Sequence, residues 1–253
     1  MMRAVCTGLV GLLCCTGALA QAGPEAHTSV GLSHERSRLS RGLTDWTEDT
    51  LRVQRHQADT SVTELALAGT RRFGLDDTQL ELMHEQALNA GLRAAVTAAV
   101  SPTHRVLARS SLGGRLQVEV APAWWLHGGI KHTRYSNNNV DRVDLRLEHY
   151  VGNFSHSLQW SPVRALGRTE QVVEWRSQWA PERGRSVGLI ASAGREATEL
   201  GQGAIALADV RSLALVARWP LAPQWSLTGS LSRTRQGDFY TRTGLGLGVQ
   251  RDF

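Results

Sequence analysis

The sequence predicts an all-β fold, a closed antiparallel up-and-down transmembrane β-barrel of about fourteen strands, and three observations carry that expectation. Apolar and polar residues alternate with a period of two over most of the chain, as in Val143, Leu145 and Leu147 against Arg142, Asp144, Arg146 and Glu148. Tryptophans gather beside the turns that proline and glycine mark. The last segment alternates until it reaches an aromatic residue, Phe253. Composition agrees, because 253 residues with 42% hydrophobic content, 25 Gly and 7 Pro fit neither a low-complexity nor a collagen-like chain.

Taken in order, residues 1–20 read as a secretory leader: Arg3, an apolar stretch over residues 8–13, and the small-x-small end Ala18-Leu19-Ala20, with cleavage expected before Gln21. All three cysteines, Cys6, Cys14 and Cys15, fall in the leader, so the processed chain is expected to hold no disulfide, thiolate metal site or cysteine nucleophile. No later segment approaches the ~18 consecutive apolar residues of a membrane helix. Without the leader 27 basic residues face 23 acidic ones, and the two signs are interspersed, which argues against a nucleic-acid stripe. A short segment, 21–27, then leads into one barrel domain over residues 28–253.

The alternation places strands at 28–36, 46–56, 60–72, 78–88, 91–100, 109–120, 124–135, 141–150, 154–160, 169–179, 185–194, 206–219, 225–234 and 240–253. Twelve strands would follow if 91–100 and its neighbour merged. An even count puts both ends on one side, as bacterial barrels require. Short periplasmic turns are expected after residues 56, 88, 121, 151, 180 and 219. Outer loops are expected near 37–45, 71–77, 101–107, 136–140, 161–168, 195–204 and 235–239, as the recognition surface.

A soluble sandwich also alternates, so the membrane reading rests on which face is wet. The charged rows supply lumen-facing candidates: Arg115, Glu119, Arg142, Asp144, Arg146, Glu148, Glu174 and Arg176. Trp124, Trp125, Trp179, Trp219 and Trp225 stand near turns and are expected to form an interfacial girdle. Leu245, Leu247, Val249 and Phe253 share one side of the last strand and are expected to be its insertion signal, with Arg251 as a departure that can snorkel to headgroups. Gly244, Gly246 and Gly248 recur every second residue with no helix after them, which disfavours a nucleotide loop and instead makes room for a neighbour's side chains.

An enzyme is not expected. A lipid acylhydrolase would need a Ser within reach of an oriented His, and the sequence offers only neighbours such as His149 with Ser155, or His156 with Ser157, the latter pointing oppositely on one strand. His127 and His132 do not share a strand face, so no metal site is expected, and no cofactor is implied.

Arg72-Phe73-Gly74-Leu75-Asp76-Asp77-Thr78-Gln79, then Gly129-Ile130-Lys131-His132-Thr133-Arg134-Tyr135, then Val140-Asp141 and Tyr150-Val151-Gly152-Asn153 resemble, in order and spacing, the YaiO family of outer-membrane β-barrel proteins. The resemblance spans residues 28–253 and implies a barrel in the outer membrane of a Gram-negative bacterium. It implies no single activity, but related barrels are associated with exopolysaccharide export. The expectation is therefore a channel or accessory for a polar solute or exopolysaccharide, meeting outer-membrane lipids and the barrel-insertion machinery. A lipid-modifying enzyme and a closed structural barrel stand as alternatives.

Overall fold

The computed structural model describes residues 26–58, 60–201 and 204–253. The expected leader and its cleavage point lie outside the described residues. Fourteen strands follow one another: β1 (His27–Leu39), β2 (Trp46–Gln57), β3 (Ser61–Arg72), β4 (Leu75–Asn89), β5 (Leu92–Val100), β6 (Ser110–Ala121), β7 (Trp124–Arg134), β8 (Asn139–Val151), β9 (Phe154–Ala165), β10 (Arg168–Glu182), β11 (Arg185–Gly201), β12 (Ala204–Ala222), β13 (Trp225–Gln236) and β14 (Tyr240–Asp252). Each pairs antiparallel with its sequence neighbour, and β14 returns to β1, so the sheet is a closed up-and-down barrel. Closure leaves no unpaired strand edge, which in hydrocarbon would cost several kcal/mol per orphaned backbone group.

The two faces are sorted as the alternation expects. Leu32, Leu65, Leu116, Ile130, Leu145, Leu213, Leu231 and Leu247 lie exposed on the outer row, while Ser29, Gln54, Glu64, His127, Glu148 and Thr234 on the inner row are buried. A soluble sandwich would bury the first set and expose the second.

The start of β1 and the end of β14 lie at one rim, where five connections are two residues long and one, between β2 and β3, is three. At the other rim the connections reach six residues between β1 and β2 and nine between β5 and β6. Short turns mark the periplasmic side of such barrels, so this rim, with the start of β1 and the end of β14, is the periplasmic one.

Three expected outer loops are mostly strand. The segments 71–77 and 161–168 close as two-residue turns at Phe73-Gly74 and Leu166-Gly167, whose four φ angles of 53°, 75°, 53° and 73° are those of hairpins matching the strand twist. In place of the loop expected near 195–204, β11 runs to Gly201 and β12 starts at Ala204. The alternation misleads there because its phase inverts above the membrane. Val140, Val163, Ala165, Ala208 and Val210 are buried inside, while Asp141, Arg164, Asp209 and Arg211 face water outside. The period of two persists, but the oily face changes side.

Candidate functional site

At roughly 4.8 Å between strands tilted by about 40°, fourteen strands enclose roughly 28 Å between opposite backbones. That width exceeds the combined reach of two facing side chains, so inner charges find partners sideways along the wall. From β2 to β8, with β10, long charged groups dominate. Arg52 lies 3.0 Å from Glu64, to which Gln54 also donates, and Arg72 lies 3.2 Å from Glu48. Glu85 of β4 gathers Arg93 at 3.3 Å from β5, and Arg115 and Gln117, both at 3.1 Å, from β6. Arg142 pairs with Asp144 two residues along β8 at 2.6 Å, and Ser161 and Gln159 of β9 donate to the same carboxylate. Arg176 and Glu174 make the equivalent pair along β10.

The most enclosed of these groups is a triad on β7 and β8. His127 Nε2 lies 3.0 Å from Glu148, and Arg146 reaches His127 Nδ1 at 3.0 Å. A guanidinium can only donate, so Nδ1 accepts and the ring proton sits on Nε2, toward the carboxylate.

From β11 to β1 the inner wall has a different composition. Along β13 it presents Ser226, Thr228, Ser230, Ser232 and Thr234; along β14, Gly244, Gly246 and Gly248; along β1, Ser29, Gly31, Ser33, Glu35 and Ser37. In register, Thr228, Ser230 and Ser232 stand opposite the three β14 glycines. A Cβ on those glycines would meet Ser232 Oγ at 2.7 Å, Ser230 Oγ at 2.5 Å and Thr228 Oγ1 at 2.6 Å. The hydroxyls thus lie over the glycines, and between Ser232 and Thr228 the wall of β13 and β14 is short-chained, polar and uncharged, with Glu35 of β1 beside Gly244.

The outer mouth is narrowed by apolar packing. Trp46 and Tyr240, 3% and 2% exposed, cluster with Leu39, Phe73 and Phe239, and the guanidinium carbons of Arg72 and Arg242 lie 4.9 and 5.3 Å from the Trp46 ring centre. Val140, Val163 and Ala165 pack with Tyr135 and with Leu207 of the long β11–β12 hairpin. Between β5 and β6, residues 101–109 fold onto the upper end of β4, where β5 has already ended. Asp77 of β4, its side chain fully enclosed, accepts the backbone N–H groups of Arg105, Val106 and Leu107 at 2.9, 2.5 and 2.6 Å. The carboxylate thereby holds the turn that covers this part of the sheet.

The eight residues named as lumen candidates, Arg115, Glu119, Arg142, Asp144, Arg146, Glu148, Glu174 and Arg176, all stand on inner rows, with Glu119 exposed at the periplasmic rim. Trp124, Trp179, Trp219 and Trp225 face outward at the periplasmic ends of their strands. Trp125 does not. Adjacent to Trp124, it falls on the opposite row, in register with Glu119 and Glu148, and is removed from the expected girdle. Leu245, Leu247 and Val249 point outward with Arg251, whose guanidinium lies 4.6 Å from the Phe253 ring and 5.5 Å from that of Trp225. His149 and His156 face outward, His149 stacked on Trp124, while Ser155 and Ser157 face inward, so neither pair named for an acylhydrolase comes together.

Sequence reasoning missed Glu64, Glu85, Arg52, His127 and Lys131, all on the inner row. The same every-second-residue count would have found them. On β2 and β4 it is blurred because the outer rows also carry polar groups, Asp49 and His84 among them.

A family profile described as the YaiO membrane beta barrel domain matches residues 27–179, more than half of the chain. Among solved structures, a CymD monoaromatic hydrocarbon channel is similar at 9% identity and a TM-score of 0.57, covering 91% of this chain and 89% of that one. A bacterial polysaccharide outer membrane secretin aligns at 11% identity and a TM-score of 0.55, over 92% of this chain and all of the other. The translocator domain of the autotransporter NalP from Neisseria meningitidis aligns at 9% identity and 0.50, over 93% and 91%. At such identities the likeness concerns the fold. No curated protein matches the chain.

Proposed function

Because the chain belongs to the YaiO family of membrane β-barrels, we propose that it serves the outer membrane as a passage for a polar solute, with an exopolysaccharide chain as the solute class and an export system as the supplier. One observation carries this reading: the inner charges are paired along the wall, between neighbouring strands or two residues apart on one strand, rather than across the lumen. A barrel plugged by its own salt bridges would pair them across.

Mixed signs give no ring of one charge, so ion selectivity is weak, which suits a neutral solute. The hydroxyl-lined stretch of β13 and β14 offers such a solute hydrogen-bonding groups with little charge to desolvate, and Glu35 of β1 adds one carboxylate acceptor beside it. The girdle tryptophans seat the barrel in lipid, and the row Leu245, Leu247, Val249 and Phe253 is the segment handed to the insertion machinery.

Single-channel recording in planar bilayers tests the passage. Reproducible conductance is expected, lowered by Ser230→Arg with Ser232→Arg, which pushes long side chains into the short-chained sector, and raised by Trp46→Ala at the mouth. Silence at every voltage in the parent protein and in Trp46→Ala would make the barrel a closed scaffold.

A further inference from the structure

Around β1 to β4, β7 and β8, carboxylates that face outward above the oily band lie within hydrogen-bond distance of an Arg or His. His34 pairs with Asp49 at 2.7 Å, Arg36 with Asp45 at 2.8 Å, Arg71 with Asp76 at 2.7 Å and His132 with Asp141 at 2.6 Å. Arg164 stands opposite Asp141, and Arg195 opposite Asp209. The wall formed by β12, β13, β14 and β1 departs from this rule. There Arg211 stands directly opposite Arg235. One row closer to the membrane, Arg233 and Arg38 flank Thr243 from either side. All four arginines are exposed on the outer face.

Only Arg235 has an acid, Asp238 at 3.4 Å. Among the described residues no side-chain hydrogen bond or ion pair engages Arg38, Arg211 or Arg233. Like charges directly opposite on a sheet face are destabilising unless an anion lies between them. Strand neighbours stand about 4.8 Å apart and alternate residues on a strand about 7 Å, so from β12 to β1 the four arginines span a patch roughly 16 Å across.

Immediately below the patch the outer rows of β12, β13 and β14 turn apolar, through Leu213, Leu215, Leu231, Leu245 and Leu247, each about half exposed, while on β1 Arg36 and His34, partnered by Asp45 and Asp49, continue below Arg38. A cationic patch on top of an oily wall is complementary to an amphiphile with an anionic head, and the rim concerned faces the outer leaflet. We propose that this wall binds a phosphorylated, multiply acylated glycolipid of the outer leaflet, its phosphates between Arg38, Arg211, Arg233 and Arg235 and its acyl chains along the leucines. Unlike the passage, this site needs nothing from the lumen, so either reading stands if the other fails.

The test uses the folded barrel in zwitterionic detergent micelles, with fluorescent bis-phosphorylated lipid A as one probe and its dephosphorylated counterpart as the other. The parent protein is expected to prefer the phosphorylated lipid, and the preference should shrink with added salt. Arg38→Gln, Arg211→Gln and Arg233→Gln combined should weaken its binding on the order of a hundredfold, a factor of about five for each arginine near an anionic surface. Arg134→Gln, exposed on the outer face of β7 on the opposite wall, should leave binding unchanged. Heat-shifted gel migration confirms that each variant is folded, and the two-lipid comparison on the parent protein stands without any variant. Equal affinity for the two lipids, or full binding by a folded triple variant, overturns the proposal. Displacement of the lipid by an equal concentration of inorganic pyrophosphate also overturns it, by making the patch a site for free phosphate.

Discussion

Between β2 and β8 the inner wall is held by pairing, whereas between β11 and β1 it is held by fit. In the first region Glu85 is the common acceptor for three side chains from two strands. In the second, Ser232, Ser230 and Thr228 occupy the volumes that Gly244, Gly246 and Gly248 leave empty. One barrel therefore contains two kinds of wall with opposite vulnerabilities. The paired wall fails when an atom is removed, because the remaining charges lose their partners in a confined space. The fitted wall fails when an atom is added. The two also leave different amounts of room, since Arg and Glu project into the lumen while Ser and Gly retract from it.

The largest test of this contrast is Gly194→Val. A Cβ there runs into the backbone of β10 at Gln171 and Val172, which cannot rotate aside, so the vesicle-embedded protein should lose about 3 kcal/mol or more and its urea midpoint should fall accordingly. If the midpoint stays, the fitted wall is looser than its geometry implies. Next comes Asp77→Ala, which strips three backbone donors of their acceptor at about 2–3 kcal/mol for the local fold. Trypsin should then cut after Arg105 while the barrel remains intact, and an uncut loop would show that other contacts hold it.

Glu85→Ala should cost about 2 kcal/mol in the same urea assay, and adding Arg115→Ala should cost less than the sum of the two, which a double-mutant cycle reads directly. Strict additivity would mean the pair is decorative. The smallest effect belongs to Gly246→Ala. Its new methyl group meets only the rotatable hydroxyl of Ser230, so the loss should stay below about 1 kcal/mol and vanish when Ser230→Ala is added. A loss as large as that of Gly194→Val would erase the distinction between contact with a hydroxyl and contact with backbone.

Much of the architecture was legible in advance, for a physical reason. Hydrocarbon outside and water inside impose a strict period of two wherever a strand crosses the membrane, so Leu145 beside Arg146 or Leu231 beside Ser232 announces both strand and facing. The reading ran short where that pressure ends. Residues 161–165 continue β9 beyond the oily band, where the apolar row, Val163 and Ala165, moves inside to fill the mouth, and β11 likewise runs on to Gly201. The alternation there looks broken although the strand is not. Trp125 was misplaced because proximity to a turn says nothing about which face a residue occupies, and parity decides that.

By itself the sequence narrowed the strand count to fourteen or twelve and determined the identity of the wet face and the rim that carries the short turns, because these follow from periodicity and turn chemistry within a few neighbouring residues; the structure fixed fourteen. Which charge meets which, that Asp77 holds residues 105–107, that hydroxyls cover the β14 glycines, and that four arginines from β12, β13 and β1 gather on one outer patch were decided only by the tertiary structure. Those are matters of register between segments as far apart as Arg38 and Arg233, and register is set when the barrel closes, not by any local stretch of chain.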